Sequence, residues 1–435
     1  MKFPLVVSIA ILLSPLALAQ ETPQAPEQNA TAPTDAPPLT LERAVELALA
    51  RNERSAIADT TVAAAEARVS RARTAFLPRV DIAGTWRADY NDPTERTLQS
   101  SALLTQPIFD ARVFPLYRQQ RFDRDAARLS AADTKRLLGY DAAIAFLGAL
   151  GFEQVLLAAE HRRDFATTNL SDVRARFEAG LVSSNDVTRA ELELATAVRG
   201  VAQASGDVQS ARIDLETLLN SEVGPLVPPV TLLDDAAESP AQSSAEIEAA
   251  RQRRTDIAAQ RARVEALRAF AAEPAARFLP SVLFNAQARN VNDGPITDRN
   301  NLGFMGVTFA WPVFDAGVRR AERAERKAIV RGQELELEAA LRDVDRQMRG
   351  AGVQLSTEQA ALREAAAALR AARKNADETN ALYREGLASA LELADANQQL
   401  FESEVAEVTA RYRMAVAYMA VREASGVAAV GGVNP

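Results

Sequence analysis

The 435-residue chain contains no cysteine and a single histidine, His161. Without cysteine there can be no disulfide, thiolate metal site, cysteine nucleophile or acylated lipoprotein N-terminus. One histidine leaves no histidine-rich metal site and argues against a Ser/His/Asp triad, so His161 reads as a helix-surface or packing residue. There is no basic excess: 50 Lys+Arg stand against 58 Asp+Glu, a formal net charge of −8, which gives no electrostatic case for nucleic acid. A nucleophile elbow, a metal-ligand spacing and a phosphate-binding loop are also missing, so a periplasmic hydrolase is a poor reading and neither cofactor nor metal is expected. Beyond the first twenty residues no run of 18 or more apolar residues is found, so no transmembrane helix is expected. Any membrane span would have to be a closed β-barrel.

The N-terminus has the pattern of a secretory signal. Lys2 supplies the positive region, Leu5 to Leu13 the apolar core, and Ala17-Leu18-Ala19 the small-residue cleavage site. Residues 1–19 are thus expected to be removed on export. Residues 20–39 hold Pro23, Pro26, Pro33, Pro37 and Pro38 among polar residues and read as a disordered linker. Ordered structure is expected from Thr40, a plausible N-cap with Arg43 where a full capping box would have Glu.

An internal repeat dominates the rest. Phe76-Leu77-Pro78 recurs as Phe278-Leu279-Pro280. Gln106-Pro107-Ile108-Phe109-Asp110-Ala111 recurs as Trp311-Pro312-Val313-Phe314-Asp315-Ala316. Arg176-Phe177-Glu178-Ala179-Gly180-Leu181 recurs as Leu382-Tyr383-Arg384-Glu385-Gly386-Leu387. The three pairs keep their order and nearly their offset. They divide the chain into repeats at about 40–220 and 244–425, joined by a Pro-rich acidic linker at 221–243 and followed by a tail at 426–435.

Each repeat reads as helix, strand, strand, helix, helix. From Ala316 to Glu385 there is no proline, and Leu337, Leu341, Val344, Met348, Ala351 and Leu355 step by alternating fours and threes, a coiled-coil seam. The sevenfold spacing continues through Leu362, Leu369, Ala376 and Tyr383, and Val405, Val408, Tyr412, Ala415 and Met419 repeat the stepping on the last helix. The first repeat offers a matching rod from Arg112 to Ala179, interrupted by Pro115, Gly148 and Gly151. Between the helices, Val80, Ile82, Gly84, Trp86 and Ala88 alternate with mainly polar neighbours, as do Val282, Phe284, Ala286 and Ala288. Hairpins are expected at about 80–90 with 98–106 and 281–291 with 302–311, turning at Asn91-Asp92-Pro93 and Asn292-Asp293-Gly294-Pro295. The strands have the length of a tilted membrane strand, but the smallest bacterial barrels need eight, so a barrel must be shared between copies. Trp86, Tyr90 and Trp311 in the strands, with Phe109 and Phe314 just after them, are placed either to form a membrane aromatic belt or as ordinary sheet aromatics.

Signal sequence, tandem repeats, Phe-Leu-Pro before each hairpin, Pro-Ile/Val-Phe-Asp after it and a Gly-Leu-x-Ser turn between long helices together resemble the TolC-like outer-membrane efflux proteins. The resemblance covers nearly all of the chain after residue 40. It implies a mainly α fold with a small β part, in which four strands per chain contribute to a trimeric 12-stranded outer-membrane barrel above a helical periplasmic tunnel with an equatorial girdle. It further implies a passive duct of an efflux pump or type I secretion system, served by a periplasmic adaptor and an inner-membrane transporter. The tips Gly180-Leu181-Val182-Ser183 and Gly386-Leu387-Ala388-Ser389 match those that meet the adaptor. Glu392 and Asp395 match the acidic constriction, and Asp186 and Tyr383 a hydrogen-bonded latch. Ala388 departs from the family, which has there an arginine that ties neighbouring subunits, so either Asp186 lacks that partner or another arginine, such as Arg189 or Arg384, replaces it. The alternative is a soluble periplasmic coiled-coil scaffold or adaptor, which would carry one helical hairpin rather than two.

Overall fold

A computed structural model describes residues 37–88, 96–240, 243–292 and 301–431. The expected signal segment, most of the linker at 20–39, Tyr90 and both hairpin turns lie outside the described residues. The first repeat runs α1 (Leu41–Arg51), α2 (Glu53–Thr74), β1 (Arg79–Ala88), β2 (Arg96–Asp110), α3 (Val113–Glu178) and α4 (Ser184–Leu219). After α5 (Val230–Glu238), the second runs α6 (Ser244–Arg253), α7 (Thr255–Ala276), β3 (Ser281–Asn292), β4 (Asn301–Ala310), α8 (Val318–Arg384) and α9 (Ala390–Ala424).

The supposed joints are more ordered than their composition suggests. Leu39, assigned to the linker, is buried and bridges Leu226: its amide donates to the Pro225 carbonyl and its carbonyl accepts from Val227. The Pro-rich segment between repeats contains α5, whose Ala236 is buried against Leu355, Met414 and Ala417. In the tail, Ala429 and Val430 are buried with α1 and α3, and Tyr140 donates to the Val427 carbonyl at 2.9 Å. Apolar contact in the tertiary structure outweighs local polarity at each place.

At 66 and 67 residues, α3 and α8 are rods of roughly 100 Å. Pro115 sits in the first turn of α3, where no helical hydrogen bond is lost, and the helix runs unbroken through Gly148 and Gly151. The seam of α8 follows the heptad: Val344, Met348, Leu355, Leu369, Ala376 and Tyr383 are buried, and Leu337, Leu341, Ala351 and Leu362 pack beside them. In the half nearer the sheet the helices lie in the order α2, α3, α7, α8; in the other half they lie as α4, α3, α9, α8. The start of α7 meets the end of α9, where Gly426 abuts Arg254. The two short helices thus continue one another between the two rods.

One expectation is corrected. Helix α3 is long and apolar enough to cross a membrane by length and composition. Packing accounts for that composition, since α3 touches α1, α2, α4, α7 and α9 and buries Leu138, Phe146, Leu147 and Leu150 among them.

The strands form one antiparallel sheet in the order β1-β2-β3-β4, with β2–β3 joining the repeats. The register sorts its faces. Val80 opposes Leu104, Ile82 opposes Ala102, and Trp86 opposes Leu98. Across the repeats Leu104 opposes Ala286, and beyond it Met305; Phe284 opposes Val307. The other face pairs Thr85 with Gln99, Ser101 with Arg289 and Thr105 with Asn285. Observed bounds differ from expectation at two aromatics. Phe109 lies inside β2, beyond a bulge after Pro107 that leaves Ile108 unpaired and sets Phe109 opposite Val282. Trp311 lies just past β4.

Met348→Ala at the buried seam should cost roughly 2–5 kcal/mol. Arg346→Ala, whose side chain is 73% exposed, should stay within about 0.5 kcal/mol. Denaturant unfolding at fixed protein concentration checks the contrast, and equal effects would mean that the heptad does not carry the rods.

Candidate functional site

The end of the helical rods remote from the sheet is made by two turns with the same chemistry. Helix α3 ends with Gly180 at φ 71° and α8 with Gly386 at φ 80°, a left-handed conformation that an L-residue resists. In each turn the glycine amide donates three residues back (to Phe177 and Tyr383 carbonyls) and the following leucine amide five back (to Arg176 and Leu382). This is the Schellman pattern, which satisfies carbonyls that a helix end leaves bare. Two residues on, Ser183 and Ser389 cap the returning helices. Ser183 accepts from the Asp186 amide at 3.4 Å while the Asp186 carboxylate accepts from the Ser183 amide at 3.0 Å; Ser389 and Glu392 repeat this at 3.3 and 2.7 Å. Both are complete capping boxes. Leu181 and Leu387 are left 74% and 72% exposed at the apices.

Behind the apices the two hairpins meet in a small core of Leu170, Val173, Ala190, Tyr383 and Leu393, with Val182 and Ala388 packed against it. Asp186 and Tyr383 line the same cavity of about 410 Å³, together with Arg176. No hydrogen bond joins them: Asp186 is held by its capping box, and the buried Tyr383 hydroxyl has no partner. The expected Asp186–Tyr383 hydrogen bond is not formed in this chain: the cap engages Oδ2 of Asp186, and no bond runs from the Tyr383 hydroxyl to the carboxylate among the described residues. Within the chain, Arg176 ties the two hairpins. Its guanidinium lies 4.8 Å from the centre of the Tyr383 ring and donates to the Tyr383 and Arg384 carbonyls at 3.1 and 3.4 Å. Sequence reading passed over Arg176 although it begins the repeated motif; its second-repeat counterpart, Leu382, breaks the symmetry there.

Glu392 and Asp395 are both exposed on the first turns of α9, on either side of the buried Leu393. Their roles differ. The Ser389 amide and hydroxyl hold the Glu392 carboxyl below its ordinary range, whereas no side-chain bond engages Asp395 among the described residues.

The repeated motifs beside the strands build the junction between sheet and rods. The Gln106 amide donates to the Phe76 carbonyl at 3.2 Å, and the Trp311 indole to the Phe278 carbonyl at 3.0 Å, so the two copies use different side chains for one bond. Asp110 pairs with Arg112, and Asp315 with the buried Arg319, which also covers the Phe278 ring at 4.2 Å. Phe314 is 86% exposed and Trp86 66% exposed, at opposite ends of the sheet.

Ser183→Ala should cost about 1 kcal/mol by loss of the cap. At the second tip the folded-state pKa of Glu392 is depressed, so its contribution is present above the ordinary value of 4.5 and is lost as pH falls through the lower folded value. Hydrogen-exchange protection in the first turn of α9 should drop across that acid window in the native protein and show no such step in Ser389→Ala.

A family model described as outer membrane efflux protein matches residues 44–221 and 247–427, that is, most of each repeat. The cobalt-zinc-cadmium resistance protein CzcC of Cupriavidus metallidurans is 24% identical over 341 residues, covering 74% of this chain and 76% of CzcC. Outer membrane protein TolC of Escherichia coli is 20% identical over 382 residues, covering 83% of this chain and 77% of TolC. A crystal structure of CusC superposes with a TM-score of 0.77 at 18% identity, covering 89% of this chain and 92% of CusC, a likeness of fold.

Proposed function

This chain belongs to the outer membrane efflux protein family and is an efflux-duct subunit of the outer membrane; from that premise we propose that three copies close one barrel and one helical tunnel, gated at the tips just described. The observation that carries the reading is the sheet. It has one apolar face, and its outer strands β1 and β4 each pair on one side only. Met305, Val307 and Phe309, which share that face, are all more than half exposed along β4. An apolar face with open edges is unstable in water and is satisfied by lipid outside and by β4 of one copy meeting β1 of the next. Leu98 to Phe109 spans about 36 Å of strand, or about 25 Å at a tilt near 45°, the height of an outer-membrane apolar band. Trp86 then marks one rim of an aromatic belt, and Phe109, Trp311 and Phe314 the other.

The helices α1, α5 and α6 form the girdle. The exposed Leu181 and Leu387 suit contact with an adaptor that links the duct to an inner-membrane transporter, and the acidic pair Glu392 and Asp395 suits the constriction. Three copies would place there rings of carboxylates that favour cations. Export through a cleaved signal peptide, without lipidation, completes this reading. A periplasmic scaffold has no use for the apolar sheet face.

Reconstituted in a planar bilayer, the protein should show small, cation-preferring conductance. A protein that stays soluble without detergent and never inserts would sink the duct. Val307→Arg, on the apolar face, should cost about 2–4 kcal/mol near mid-membrane and reduce outer-membrane trimer yield, whereas Gln287→Arg on the polar face should be tolerated. Arg176→Ala should raise resting conductance by releasing one hairpin from the other; an unchanged resting state would remove Arg176 from the closed tip.

A further inference from the structure

The helical wall carries a trench that neither the barrel nor the tip uses. It has a volume of about 690 Å³ and is walled by Phe152 and Val155 of α3 and by Val408, Tyr412 and Val416 of α9. Small residues create it. Nothing lies within 4 Å of where a Cβ on Gly148 would stand, and Gly151 rests against the Tyr412 ring, so α3 offers bare backbone along the trench. On α9 the small side chains of Ala417 and Ala420 line it.

Helical geometry says which way the trench faces. On α3, Gly139 is the position packed against Val45 of α1. At about 100° per residue, Gly148 and Val155 lie roughly 180° around the helix from it. On α8 the seam residue Leu355 separates two sides. Gln359 on one side donates to the Ala236 carbonyl of α5 at 2.9 Å, while Gln354 and Glu358 on the other side line the trench. The trench thus opens on the face of the wall opposite α1 and α5. With the girdle outside the tunnel, that face is the lumen. In the three-copy closure proposed above, a neighbouring copy would join at the edges of the wall, along α8 and along α2 and α4, and would leave the trench over α9 uncovered.

The size falls within the roughly 300–1,000 Å³ of small-molecule sites, and the lining is mostly apolar with a few polar groups, as such sites require. Glu358, bonded to Gln354, and Arg413 balance one another at the rim. From this we infer that the trench is a lumenal binding subsite for a drug-sized molecule with an aromatic, apolar body and no net charge. The inference rests on the duct reading.

Because the chain has no cysteine, Thr409→Cys places a unique and nearly isosteric thiol on the trench. In a planar bilayer, a bulky maleimide should lower the conductance of this variant in up to three discrete steps. The neutral aromatic N-phenyl-1-naphthylamine at ten times its Kd should slow the modification about tenfold. Adding Gly148→Phe, or Gly148→Leu if the larger residue prevents assembly, should abolish that protection and leave the pore intact. Absence of any pore before the reagent is added would overturn the duct reading itself. Pores whose conductance is unaffected by labelling, confirmed by mass, would show that the trench faces away from the lumen. Stepwise block with no protection, or with protection that survives the filled trench, would overturn the binding subsite.

Discussion

An apolar sheet face and two half-paired strand edges cannot be left together in water, and the remainder of this molecule follows from that. Backbone groups in lipid must be bonded, and a sheet of four strands can achieve this only by joining copies of itself. Closure of the sheet obliges the helices attached to it to close as well. The wall they form is one layer deep through most of its length, and elements such as α1, α5 and the tail are confined to a band about its middle.

The two ends of the rods solve the same problem by different means. At the sheet end, the Arg319–Asp315 pair holds the turn from strand to helix and the Arg326–Glu273 pair ties α8 to α7. At the far end there is little core, and the turns are stabilised locally by glycine in the left-handed region and by two reciprocal serine–carboxylate caps. A tip built from local bonds can shift as a unit with little loss of buried surface. Within the chain it is restrained by the small core around Val173 and Leu393 and by the contact of Arg176 with Tyr383.

Duplication is visible at every level, and its exceptions are informative. Gln106 and Trp311 make the same bond to equivalent carbonyls, and Ser183 and Ser389 make the same cap. Arg176 has only Leu382 as its counterpart, so the contact between hairpins is made once and is asymmetric. Asp186 and Glu392 are equivalent capping residues, although sequence reading assigned one to a latch and the other to a constriction. Pattern matching sees a carboxylate near a turn; the structure adds that one oxygen of each is held by the capping serine.

The sequence alone determined the two repeats, the heptad seams, the hairpins, the tip turns and the need for more than one copy, because each depends on periodicity or on residues a few positions apart. Val344, Met348 and Leu355 could be assigned to a seam since a 3.5-residue period admits one burial pattern. Only the tertiary structure decided which polar segments were ordered, which arginine meets Tyr383 and that a trench opens opposite α1 and α5. Leu39 with Leu226, Arg176 with Tyr383, and Gly151 with Tyr412 are contacts between residues more than a hundred positions apart. Such contacts are set by how the rods are laid side by side, and no local spacing in the chain encodes them.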